Sequence, residues 1–119
     1  MILAVDVGTS SVKAGFFTRA GACLALDSRP IEPLVSRDPV AHEVNAGSWT
    51  DALAALVQSL VAAARAKAPQ AGAMECTVEC VVVSGNGPTL VPVDIHGEAL
   101  APAVTWMDRR AVDEAVLAG

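Results

Sequence analysis

The sequence predicts an α/β fold, a sheet with helical cover, on three observations. A wholly apolar run at residues 2–5 opens a series of three short strands. One strongly periodic helix follows over residues 48–68, and a second apolar strand, residues 78–84, comes after it. With 119 residues the chain can bury one core and is too short for two domains.

The elements follow in order. Residues 2–5 are continuously apolar and end at Asp6, which suits a central strand buried on both faces. After the polar turn at Gly8, Thr9, Ser10 and Ser11, residues 12–17 read as a second strand, and the break at residues 19–21 leads to a third at 22–27. Residues 30–47 hold three of the seven prolines and little periodicity, so a connection without much regular structure is expected there; His42 within it has no assignable partner. Ser48, with Asp51 three residues on, is the expected N-cap of a helix whose apolar stripe is Trp49, Leu53, Leu56, Val57, Leu60, Val61 and Ala64. Pro69 disfavours a helical residue before it, so the helix should stop near Ala68, with a loop over 69–72. The strand at 78–84 is broken by residues 85–88. Residues 89–93 and 98–100 then flank the turn 94–97 as a predicted hairpin, with Pro92 pushing its strand towards an edge. A short helix is expected after Asp108, with Asp108 as its cap.

Composition narrows the function. No apolar run approaches the ~20 residues of a membrane span, and Met1 is followed by neither a basic leader nor a small-residue cleavage pattern, so a cytoplasmic location is expected. Cys23, Cys76 and Cys80 are an odd number and are expected to be small buried hydrophobes, reduced as in the cytosol. The net charge is −5, and the eight basic residues are spread evenly apart from the Arg109 and Arg110 pair. Nucleic acid is therefore not an expected partner. An acidic chain can still hold a phosphorylated anion where backbone amides and a metal supply positive potential locally.

The residues best suited to that task are Asp6-Val7-Gly8-Thr9-Ser10-Ser11-Val12-Lys13. Gly8 lets the backbone approach a ligand, and the three hydroxyls with nearby amides can donate to phosphate oxygens. Asp6 suits a magnesium ion held through its water shell, because magnesium keeps several waters and takes one or two carboxylates beside substrate phosphates. Lys13 adds a point charge. The competing reading is a plain polar hairpin turn with Asp6 bonded to its amides. The pattern is neither the Walker loop nor the dinucleotide-binding glycine motif. Cys76 and Cys80 lack further ligands for a metal, and His96 reads as a solvated turn residue.

This octapeptide resembles the first phosphate motif of the FGGY carbohydrate kinases, whose familiar members are xylulokinases and glycerol kinases. Val81-Val82-Val83-Ser84-Gly85-Asn86-Gly87-Pro88 resembles that family's strand ending in Ser-Gly-Gln. Residues 102–110, Pro-Ala-Val-Thr-Trp-Met-Asp-Arg-Arg, resemble its Pro-Ala-x-x-Trp-x-Asp-x-Arg segment, and order and spacing agree over nearly the whole chain. The resemblance implies a ribonuclease-H-like mixed sheet with helices, of the actin-like ATPase superfamily, with residues 1–119 as the N-terminal part of the first of two domains. It implies ATP and Mg as cofactors and a small-molecule sugar or polyol as substrate. Asp6 would be catalytic and would position the metal through water, Gly8, Thr9, Ser10, Ser11 and Lys13 would hold the nucleotide phosphates, and Asn86, Trp106 and Asp108 would face the substrate. Core tryptophan and helix-capping aspartate are the plainer roles for the last two. Two departures stand out: Asn86 replaces the usual Gln, and Gly87 and Pro88 offer no polar side chain where family members contact the sugar. Family kinases are several-fold longer and take their catalytic base and adenine pocket from later residues, so the chain alone is expected to be inactive. Its incomplete sheet is expected to favour self-association. The alternative expectation is a non-catalytic member of the superfamily that holds a nucleotide or a partner.

Overall fold

The first hairpin forms where the apolar run meets a glycine turn. Strands β1 (Ile2–Val7) and β2 (Ser11–Phe17) pair antiparallel, with Val5 opposite Ala14 and Asp6 opposite Lys13. The computed structural model describes residues 1–70 and 77–118. Strand β3 (Cys23–Pro30) returns antiparallel to β2 and runs past Asp27, where the sequence pattern ended. A bulge at Phe16 and Phe17 lets the adjacent Leu24 and Ala25 both bury.

The long connection contains one short strand, β4 (Glu43–Val44), and leads into helix α1 (Gly47–Lys67). Strand β5 (Cys80–Gly85) lies parallel to β1, so the sheet is mixed, in the order β3-β2-β1-β5. Strand β6 (Ala103–Val104) pairs with β4 in a separate small sheet, and α2 (Val112–Ala118) follows.

Helix α1 lies across β2 and β3. It buries Leu56, Leu60 and Ala64, spaced by one turn, with Ala68 just past its end, against Leu3, Val5, Val12, Ala14, Phe16 and Leu24. Phe16 and Leu56 are fully enclosed, and each such side chain stabilises the fold by about 1.5–3 kcal/mol. The sheet's opposite face carries Ala4, Asp6, Lys13, Phe17, Leu26, Val82 and Ser84 around an open hollow of 330 Å³. Strand β1, expected to be buried on both faces, is thus deeply buried on one and partly covered on the other.

Several expectations are corrected. Ser48 is inside α1 rather than its cap. Ala46 holds the N-cap position, and Asn45 accepts the Gly47 amide on Oδ1 at 2.9 Å and the Ser48 amide on its backbone oxygen at 3.0 Å. A short amide side chain two residues upstream captures the donor first. The predicted hairpin at 89–100 has its turn, with Asp94 Oδ1 accepting the His96 and Glu98 amides and Gly97 at φ +85°. Beyond the turn, the described residues make single bridges, Val93 to Ala99 and Leu90 to Val104, in place of strands. Pro92 has no N–H with which to continue a ladder. Asp108 does not cap α2, which starts at Val112; its Oδ1 accepts the amide of Arg110 instead. Cys23 and Cys80 are exposed, because Cys23 points away from the face on which its neighbour Leu24 is buried and β5 lies outside the helix-covered core, and Cys76 lies outside the described residues. No described helix is long and apolar enough to cross a membrane.

Candidate phosphate-binding site

The turn between β1 and β2 is closed by the Gly8 amide donating to Ser11 O at 2.9 Å. A Cβ on Gly8 would stand 2.8 Å from that same oxygen, so the close approach of the Ser11 backbone leaves no room for a side chain there. Two outside elements hold the turn. The Ile31 amide donates to Ser10 O at 2.9 Å, and the Trp49 indole, in the first turn of α1, donates to Gly8 O at 3.0 Å. Read from sequence, Trp49 was only part of an apolar stripe; a polar tip on a half-buried ring near a helix start was the available signal.

Asp6 and Lys13 stand side by side on the sheet face away from α1, with Ser84 of β5 on the other side of Asp6. Lys13 Nζ is 3.4 Å from Asp6 Oδ2, and about half of each side chain is exposed. Such a surface pair contributes little and leaves both groups able to turn to a ligand.

Three sequence-distant segments meet at Thr9. The Asn86 amide continues the β1–β5 ladder by donating to Val7 O at 2.9 Å. This places Asn86 Nδ2 3.0 Å from Thr9 Oγ1, while Asn86 Oδ1 accepts from Thr89 Oγ1 at 3.0 Å. From the far end of the chain, Trp106 Nε1 donates to the same Thr9 oxygen at 2.9 Å. Val7, Trp49, Gly85, Asn86 and Thr89 border a second hollow of 180 Å³ there, at the C-terminal ends of the parallel strands, where open α/β sheets hold ligands.

A polar network holds the Trp106 turn. Thr105 Oγ1 and His42 Nδ1 share a hydrogen bond of 2.7 Å, and the Thr105 amide donates to His42 O at 3.1 Å, which gives His42 the partner its sequence did not show. Asp108 receives the His42 amide at 2.8 Å on Oδ2 and the Arg110 guanidinium on both oxygens, and Arg110 reaches on to Glu43 Oε1 at 2.6 Å. The Arg110 guanidinium, with the His42 amide second, holds the Asp108 carboxyl well below the usual carboxylate range, and Asp108 with Glu43 raises Arg110. Counting the Arg110 amide, the donors to Asp108 fill the ~4 lone-pair sites of a carboxylate. The sequence-predicted residues Asp6, Gly8, Thr9, Ser10, Ser11, Lys13, Asn86 and Trp106 are therefore brought to one end of the sheet. Asp108 joins them by position, with its oxygens already engaged.

Among the described residues no cluster of three metal-ligating side chains occurs. A lone, half-exposed Asp6 does suit magnesium held largely by water and phosphate, and the hydroxyl-rich turn over Gly8 suits the phosphates.

The mixed sheet that opens with this hairpin agrees with the ribonuclease-H-like, actin-like ATPase fold that the resemblance implies. Residues 1–117 match the N-terminal domain of the FGGY family of carbohydrate kinases, and the chain belongs to that family. Solved structures agree in fold. A xylulose kinase from Rhodospirillum rubrum superposes with a TM-score of 0.75 at 24% identity, covering 98% of this chain and 22% of its own. Plasmodium falciparum glycerol kinase with ADP gives 0.75 at 17%, covering 99% and 22%, and a gluconate kinase from Lactobacillus acidophilus gives 0.69 at 20%, covering 98% and 21%. The chain thus spans about a fifth of the length of these kinases.

Proposed function

We propose that this chain supplies the phosphate-holding side of a cleft in which an ATP-dependent carbohydrate kinase of the cytoplasm phosphorylates a hydroxyl of a small sugar or polyol. The observation that supports this best is the meeting of residues 6–13, 84–88 and 102–110 around one hydroxyl, Thr9 Oγ1. Phosphoryl transfer rests on positioning and charge neutralisation, and both require the phosphate and acceptor sides of the cleft to be fixed to one another.

Each residue has a task in this reading. Gly8 keeps the turn bare of side chain, and Thr9, Ser10 and Ser11 donate to phosphate oxygens. Lys13 turns from its loose partner to add positive charge, and Asp6 orients waters around the metal. Magnesium ATP, when bound, supplies the phosphoryl group with part of its charge neutralised. Asn86 and Trp106 border the acceptor side, where the exposed indole face offers a wall for sugar carbons. Asp108 serves the same side by holding the Trp106 turn. Gly87 and Pro88 add no polar group there, so recognition of the remaining hydroxyls falls to other parts of the protein. The 119-residue chain alone turns nothing over, since it holds a phosphate from one side only.

The test is ADP release by the full-length protein with magnesium, ATP and a panel of pentuloses, aldonates and polyols. Asp6→Ala is expected to lower kcat by roughly 10²–10³-fold, the scale of losing one electrostatic element of such a site, with its thermal midpoint unchanged. Near-normal turnover in that variant sinks the assignment. Nucleotide binding without turnover on any sugar selects the non-catalytic reading that Gly87 and Pro88 motivate.

A further inference from the structure

We propose that Thr9 is a donor-only hydroxyl, and that Trp106 and Asn86 are the positioning residues that make it so. The inference rests on the reading of the hairpin as a phosphate clamp and deepens it. A hydroxyl has one proton to donate and two lone pairs to accept with. The indole Nε1–H of Trp106 can act only as a donor, and it lies 2.9 Å from Thr9 Oγ1. Asn86 Nδ2 donates to the same oxygen at 3.0 Å, with Thr89 holding the other end of the amide. Both lone pairs of Thr9 are thereby filled. What remains is a single O–H, turned away from two donors.

The consequences are chemical. A hydroxyl so placed has no lone pair for a metal ion or for a ligand N–H, so its complement is an acceptor, as a phosphate oxygen is. Two bonds accepted by its oxygen also polarise its own O–H and strengthen it as a donor. Trp106 can do this without being part of the core, because its side of the turn is fixed by Thr105 and His42 while the ring remains largely exposed. The indole that borders the acceptor side is therefore tied by one hydrogen bond to the group that meets phosphate. Any ligand that moves the ring alters phosphate affinity, and the coupling is reciprocal.

The experiment is calorimetric titration of the full-length protein with magnesium and a non-hydrolysable ATP analogue, in the absence of sugar. Trp106→Phe keeps the aromatic face and removes the N–H; it is expected to weaken binding about three- to ten-fold, the scale of one hydrogen bond. Asn86→Leu frees the other lone pair of Thr9 and is expected to behave alike. Thr9→Val should weaken binding at least as much and abolish any further effect of Trp106→Phe, whereas Thr9→Ser should restore sensitivity to it. Parent-like affinity in Trp106→Phe, or effects of Trp106→Phe and Thr9→Val that multiply, would overturn the proposal while leaving the kinase reading intact. If the parent protein itself fails to bind the analogue, the phosphate-clamp reading falls and this inference falls with it.

Discussion

Strands β1 and β5 are parallel neighbours of similar apolarity, yet they differ sharply in burial. Leu3 and Val5 of β1 are 9% and 4% exposed, whereas Val81, Val82 and Val83 of β5 remain 57%, 52% and 63% exposed. The difference lies in what covers them. Helix α1 crosses β2 and β3, and its apolar stripe reaches β1 but not β5. A run of valines states that a strand is suited to burial and carries no information on where the cover comes from. The two faces of the β1–β2 hairpin repeat the lesson: Val5, Ala14 and Phe16 point into the core, while Asp6 and Lys13 on alternate positions face the other way. One backbone thus serves stability on one side and chemistry on the other.

The sharpest way to break the comparison is to truncate one side chain in the core and one on the uncovered strand. In the 119-residue chain Phe16→Ala is expected to cost about 3–5 kcal/mol, enough to unfold a small domain, while Val83→Ala should stay within about 0.5 kcal/mol. Urea denaturation followed by circular dichroism measures both. A Val83→Ala cost approaching that of Phe16→Ala would mean that β5 is covered after all, and a rise in that cost in the full-length protein would locate the cover in the remaining sequence.

A smaller effect is expected at the turn joining the two faces. Gly8→Ala places a methyl against Ser11 O, a backbone atom that cannot give way cheaply, and this overpacking is expected to cost about 1–3 kcal/mol. Analogue binding should weaken with it, since the turn must open to relieve the clash. An unchanged denaturation midpoint together with unchanged binding would show that the turn is softer than its geometry indicates.

Acid tests the networks that hold β5 and the Trp106 turn to the rest. Asp108 is held below the ordinary carboxylate range chiefly by Arg110, and Glu79 is lowered chiefly by its hydrogen bond from Arg19. With folded-state values below the unfolded ones of about 3.9 and 4.3, the unfolded chain takes up protons first as pH falls. The stabilisation is therefore complete above about pH 5 and is lost progressively below it. Stability measured between pH 6 and pH 3 should decline less steeply in Asp108→Asn or Glu79→Gln than in the parent, once each variant's own offset at pH 6 is subtracted. An identical slope would remove these carboxylates from the acid response.

The smallest expected effect concerns the open face. Val82 lines the 330 Å³ hollow, and β5 is the sheet's edge among the described residues, a combination suited to pairing with another copy. The 119-residue chain is expected to show concentration-dependent mass by light scattering, reduced in Val82→Lys. A parent chain that stays monomeric at high concentration would show that the exposed valines are tolerated.

Much of this was legible because it is local. Alternation and apolar runs mark the strands, the stripe through Leu56, Leu60 and Ala64 marks α1, Pro69 marks its end, and Asp6-Val7-Gly8-Thr9-Ser10-Ser11 marks a turn made for close approach. What was misread turned on competition between near neighbours, as where Asn45 rather than Ser48 captures the first helical amides, or on elements too short for a period, as in β4 and β6. The first three strands, the end of the helix and the residue types of the site were thus determined by the sequence, through spacing and backbone stereochemistry. Only the tertiary structure decided that β5 lies parallel beside β1 and that Asp108 is saturated by Arg110 and His42. It alone brought Asn86 and Trp106, 77 and 97 positions away, to one threonine oxygen. Contacts across such distances arise from how covered faces pack, and no local run of residues encodes them.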